Sequence, residues 1–206
     1  VIEAGTADWL TAGGRSFAAD APLVIRVTDR AASSEERALV LHPPVLALGV
    51  GCERGCAPAE LAELAEAALA EAGLAAGAVA AVVSIDLKAD EPAVEALAAR
   101  LGVPARFFAA AELVAETLRL ATPSAAVFRE TGCYGVAEGA ALAAAGPAGA
   151  LLLPKRKSAR ATCAIARAAM PLDAWRIGRA RGSLAIIGIG PGAVSYTHLR
   201  AHETGR

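Results

Sequence analysis

The sequence predicts an α/β fold, a three-layer sandwich with a mainly parallel sheet and an added antiparallel hairpin. Three observations carry this reading. Short apolar runs rich in strand formers alternate with longer helical patterns between residues 45 and 145. The stretch Val45-Leu-Ala-Leu-Gly-Val-Gly-Cys-Glu-Arg-Gly-Cys56 reads as a strand running into a glycine turn, with Pro58 opening a helix. Two apolar runs near the end, 150–153 and 161–166, follow each other with a short basic turn between them.

In order, Leu23 to Thr28 reads as a strand and Arg37 to Leu41 as the returning strand of a hairpin. His42-Pro43-Pro44 breaks regular structure and marks a boundary. What precedes it reads as the end of another module. A helix is expected over 59–72, with acidic residues in its early turns and Gly73 as C-cap. Val79–Ile85 reads as a buried strand, 91–101 as a helix closed by Gly102, and Ala105–Phe108 as a short strand. Helical patterns follow at 110–120, from Thr122 through Arg129, and at 136–145. The basic turn of the late hairpin is expected at Pro154–Arg160.

Residues 169–181 read as a linker, and Gly182 to Gly192 as the start of a second domain, 182–194. The tail 195–206 departs in composition from all that precedes it and reads as non-native sequence. Val1 is not a start methionine, so the chain is expected to begin inside a larger protein.

The totals exclude several classes. Apolar residues make up 55% and aromatics 4%, so the core is built from Ala, Val and Leu. A net charge of −1 gives no general attraction for nucleic acid or anionic membrane. Cys52, Cys56, Cys133 and Cys163 lack paired C-x-x-C spacing, which argues against a structural zinc site and for reduced cytoplasmic thiols. The longest uncharged run, Gly139–Pro154, is about 16 residues and falls short of a membrane span.

Candidate site residues follow from the strand ends. The glycine loop, with Gly49, Gly51, Cys52, Arg54 and Gly55, reads either as an anion cradle anchored by Arg54 or as a plain tight turn. It lacks the Lys-Ser/Thr ending of a phosphate-binding loop, which argues against a nucleotide-binding module. Ser84, Lys88 and Glu91 follow a strand and fall at the usual ligand crevice of open α/β sheets, or else on a solvated loop. Glu138, alone in an apolar run, reads as a general base with a raised pKa or as a first-turn acid favoured by the helix dipole. Lys155 and Lys157, with Arg156 and Arg160, form a basic cluster suited to a polyanionic small molecule, or a solvated hairpin tip.

Four segments in order, GVGCERG at 49–55, SIDLKADE at 84–91, GVAEGAALAAAG at 135–146 and LLLPKRKSARATCAIA at 151–166, resemble the carboxy-terminal domain of the CbiG family and its stand-alone relative CobE. The likeness covers roughly 45–168, and residues 1–44 resemble the tail of CbiG's preceding region and a linker. GIGPG at 188–192 resembles the opening of a precorrin-3B methyltransferase, which implies a fused and here truncated domain.

The resemblance implies corrin-ring biosynthesis in the cytoplasm, with cobalt-precorrin-5A hydrolase chemistry: opening of a ring lactone and release of acetaldehyde. It implies a tetrapyrrole substrate and partnership with other corrin-pathway enzymes, including the fused methyltransferase. No cofactor is expected for this domain, and S-adenosylmethionine only for the methyltransferase. Glu138 is the expected base. Gly49, Gly51, Cys52, Arg54, Gly55, Ser84, Lys88, Glu91, Lys155 and Lys157 are the expected binding residues. The alternative is a CobE-like domain that binds and hands over the corrinoid without transforming it.

Overall fold

The computed structural model describes residues 23–32 and 37–182, with isolated positions before them. The strands are β1 (Val24–Val27), β2 (Ala38–Leu41), β3 (Leu46–Cys52), β4 (Val79–Ile85), β5 (Ala105–Phe108), β6 (Ala150–Lys157) and β7 (Ala161–Arg167). The helices are α1 (Pro58–Glu71), α2 (Pro92–Leu101), α3 (Ala110–Ala115), α4 (Ala125–Thr131) and α5 (Val136–Ala145).

Five strands form the main sheet in the order β5-β4-β3-β7-β6. β5, β4 and β3 are parallel, and β7 runs antiparallel to both β3 and β6. The sheet is therefore mainly parallel with a hairpin on one side. α1 and α2 cover one face, where Leu46, Leu48 and Val50 of β3 meet Leu61, Leu69 and Leu97. α3 and α5 cover the other, where Ala47, Ala81 and Val83 meet Leu113, Ala140 and Ala144. This is the expected three-layer sandwich.

Small residues set the distance between layers on the α5 side. A Cβ at Gly49 would lie 1.9 Å from the Ala137 carbonyl oxygen, so only glycine lets α5 sit this close to the sheet. α1 and α2 each end at a glycine in the left-handed region, Gly73 (φ 63°) and Gly102 (φ 69°).

Several expectations change. β1 and β2 are parallel, not a hairpin, with Val24 opposite Ala38 and Val27 opposite Leu41. The segment after β1 is drawn over the end of α1 instead of turning back. Ala75 N donates to Asp29 O at 2.8 Å and Ala31 N to Gly73 O at 3.0 Å. Arg167 at the end of β7 holds the buried Asp29 carboxylate at 2.5 Å.

The basic turn is mostly strand. β6 continues to Lys157, and Pro154, which has no N–H to donate, sits where the register shifts between Leu153 and Arg156. α3 stops at Ala115 and a 3-10 turn follows at Thr117–Arg119, where Thr117 Oγ1 donates to Val114 O at 2.6 Å.

The stretch read as a linker is strapped to the outer edge of β5. Phe107 and Arg179 exchange backbone hydrogen bonds at 2.8 and 2.7 Å. The Arg106 guanidinium donates to the carbonyls of Ile177, Trp175 and Gly178 at 2.7, 3.3 and 3.0 Å. Leu172, Ala174 and Ile177 extend the core on the α5 side. The glycine turn at 188–192 and the tail 195–206 lie outside the described residues. Among the described residues no helix is long and apolar enough to cross a membrane.

Candidate functional site

β3 and β4 both end at the same rim of the sheet, and a cleft of about 390 Å³ opens there. Gly51 and Cys52 close β3, and Arg54 follows in the loop. Ile85 closes β4, with Leu87 and Lys88 after it. The opposite wall is α4 (Val127, Glu130, Thr131) and the start of α5 (Gly135, Val136, Ala137). Lys155 and Thr162 of the hairpin complete the lining. First-turn amides of α5 have no partner within the helix, so the positive end of the helix lies in this wall.

Of the expected binding residues, Gly51, Cys52, Arg54, Lys88 and Lys155 line this one cleft. They are contributed by strands and loops up to about 100 positions apart in sequence. Alternation along β6 explains Lys155. It lies on the α5 side, while Arg156 lies on the opposite side and is ion-paired with Glu71 of α1 at 2.5 Å.

Arg54 is exposed and pairs with Asp90 at 3.3 Å, and it also donates to Leu87 O at 3.4 Å. The pair lowers the Asp90 pKa, chiefly through the Arg54 hydrogen bond. Cys52 is half-buried. Burial, then the negative charge of Glu91, pushes its thiol up to about 11, so it is a neutral thiol at physiological pH.

The other expected binding residues lie elsewhere. Gly49 is inside β3 under α5 and belongs to helix packing. Ser84 is buried and donates to Val50 O at 2.7 Å, tying β4 to β3. Glu91 is buried and accepts the Gly55 N–H at 3.1 Å, so both residues hold the loop's shape from behind. Lys157 is exposed at the far end of β6. Arg160 braces the same loop, donating to Arg54 O at 2.8 Å and Gly55 O at 3.2 Å and pairing with Glu53 at 3.1 Å.

Glu138 corrects the expected base. Its carboxylate accepts four hydrogen bonds: from Ala121 N at 2.9 Å, Thr122 N at 3.0 Å, Thr122 Oγ1 at 2.9 Å and Lys155 N at 2.8 Å. Burial works to raise its pKa, but these donors outweigh it and the net shift is downward. Glu138 is thus a structural anion that fixes β6 to α5 and to the 121–122 turn, and it is a poor proton acceptor.

Glu130, Thr131, Val127, Val136, Ala137 and Thr162 are cleft residues not singled out from sequence. α4 was expected to end near Arg129, and its last turn carries Glu130 and Thr131 into the wall. Among the described residues no group of three or more His, Cys, Asp or Glu is placed to hold a metal ion.

Comparison with known proteins agrees with this architecture. The family described as cobalamin synthesis G C-terminus matches residues 46–166, more than half of the chain. Protein CobE from Sinorhizobium sp. is 52% identical over 121 residues, covering 59% of this chain and 79% of that protein. A cobalt-precorrin-5A hydrolase from Priestia megaterium is 37% identical over 145 residues, covering 68% of this chain and 38% of the hydrolase. The chain thus spans well under half of that enzyme. A crystal structure of CobE, from the cobalamin biosynthetic pathway, superposes with a TM-score of 0.57 at 45% identity, covering 60% of this chain and 89% of that one. The chain belongs to the CbiG carboxy-terminal family, and it is similar to CobE over the same region.

Proposed function

We propose that this domain serves cobalamin biosynthesis by receiving a carboxylate-fringed tetrapyrrole, a cobalt-precorrin, at the cleft between β3, β4 and α5. The observation that carries the reading is the convergence of Arg54, Lys88 and Lys155 on one cavity beside the start of α5. A cavity of about 390 Å³ is at the small end of ligand pockets. It takes one edge of the macrocycle with its acid side chains, and the ring rests against Leu87, which is 50% exposed at the rim. Neither lysine side chain has a hydrogen-bond or ion-pair partner among the described residues, so both ammonium groups are available to a ligand. Arg54 must first leave Asp90, an exposed pair that costs little to break.

The expected test is titration with a porphyrin octacarboxylate, followed by absorbance. A Lys88→Ala/Lys155→Ala double variant binds at least tenfold more weakly than the wild type, and Arg54→Ala has a smaller effect. Unchanged affinity in the double variant ends this reading. Two outcomes of binding are open to assay. Hydrolysis of cobalt-precorrin-5A, with lactone opening and acetaldehyde release, is favoured by the 37% identity to the Priestia megaterium hydrolase. Binding and handover to the next corrin-pathway enzyme, including a fused methyltransferase, is favoured by the 52% identity to CobE.

A further inference from the structure

We propose that Glu130 is the base of the cleft, taking a proton from a water that attacks an ester carbonyl of the bound ligand. The inference rests on the reading of the cleft as a tetrapyrrole site with hydrolysis as its chemistry. Glu130 is the one carboxylate in the cleft lining among the described residues. The alternatives are committed elsewhere. Glu138 is saturated by four donors, and Glu91 is buried on the Gly55 amide. Cys52 holds its proton to about 11.

Charge pairing around the cleft points the same way. Arg54 in its lining and Arg160, which braces the same loop, are each tied to a carboxylate. The side chains of Glu130, Lys88 and Lys155 have no hydrogen bond or ion pair among the described residues. A carboxylate that shares a cavity with two ammonium groups yet closes on neither keeps its lone pairs for what arrives with the ligand. The element carrying it is held firmly. Ser124 N donates to Tyr134 O at 2.8 Å, Phe128 stacks on Tyr134 at 4.5 Å, and Thr131 Oγ1 donates to Val127 O at 2.8 Å.

In the step, the water oxygen bonds to the carbonyl carbon as Glu130 takes one of its protons. The oxyanion that forms is stabilised by Lys88 and Lys155. The ester C–O bond then breaks, and the proton on Glu130 passes to the departing alkoxide. The products are a hydroxyl and a carboxylic acid, whose own proton goes to solvent.

The test is the whole chain incubated with cobalt-precorrin-5A, with acetaldehyde release and tetrapyrrole binding measured separately. Glu130→Gln is expected to lower kcat at least 100-fold with affinity within threefold of wild type. Glu130→Asp recovers part of the rate, and the acidic limb of the pH–rate profile is lost in Glu130→Gln. Turnover of Glu130→Gln within tenfold of wild type overturns the role. Wild-type binding without turnover also overturns it while leaving the binding site standing. Absence of wild-type binding overturns the site itself.

Discussion

Glu138 holds three segments with one side chain. Its partners at 121–122 and at 155 lie 16 or 17 positions away on either side, and they bring Lys155 to the cleft wall. Because the folded carboxyl titrates below its ordinary range, the stabilisation is full at neutral pH. It is lost as pH falls through the folded-state value. Glu138→Gln presents an amide N–H₂ to donors and leaves at least one of them unpaired. The expected cost is about 2–3 kcal/mol at pH 7, and it shrinks once the pH falls below the ordinary carboxylate range. Urea unfolding at neutral and at acid pH measures it, and equal stabilities at pH 7 would refute the assignment. A carboxylate in an apolar run is conspicuous in a sequence, but base and buried acceptor look alike there. The donors that decide between them are backbone amides with no sequence signature.

At the scale of elements, the contact of β3 with α5 is set by Gly49. Gly49→Ala brings a methyl against the Ala137 backbone, which cannot swing aside as a side chain would. The expected destabilisation is about 3 kcal/mol, seen as a lowered melting temperature. Because α5 supplies one cleft wall, porphyrin affinity should fall in the same variant. A variant as stable as wild type would show that the helix shifts freely. β4 (Val79–Ile85), β5 (Ala105–Phe108) and α5 (Val136–Ala145) were legible in the sequence to the residue, since each is an apolar run that starts just after a glycine or proline, and Gly146 also closes α5. β6 was not, because Pro154-Lys-Arg-Lys157 carries the composition of a turn. Its strand character comes from pairing with β7, which is a tertiary property. The parallel pairing of β1 and β2 likewise depends on where the intervening segment is anchored, at Gly73 and Ala75.

For the whole molecule, the cleft is assembled from strand ends, loops, two helices and the hairpin. Its cations were readable one by one, but their meeting was not. The glycine-rich segment supplied Gly51, Cys52 and Arg54, while Gly55 and Glu91 turned out to shape it from behind and Gly49 to seat α5 on the sheet. Strand ends at a shared rim are predictable from an α/β pattern. Which loop residues face inward depends on bracing such as Arg160 to Arg54 O and Gly55 O.

The Arg106 clasp on the carbonyls of Trp175, Ile177 and Gly178 bears on where this unit is cut. The family match stops at 166, an inviting terminus for expression, yet the folded body extends to the backbone pairing at Arg179. A shortened chain ending at Ala168 would bare the flank of β5 and strand a buried guanidinium without acceptors. It should self-associate on size-exclusion chromatography, whereas one ending at Gly182 should not. Equal elution behaviour would mean that residues 169–182 are dispensable trim.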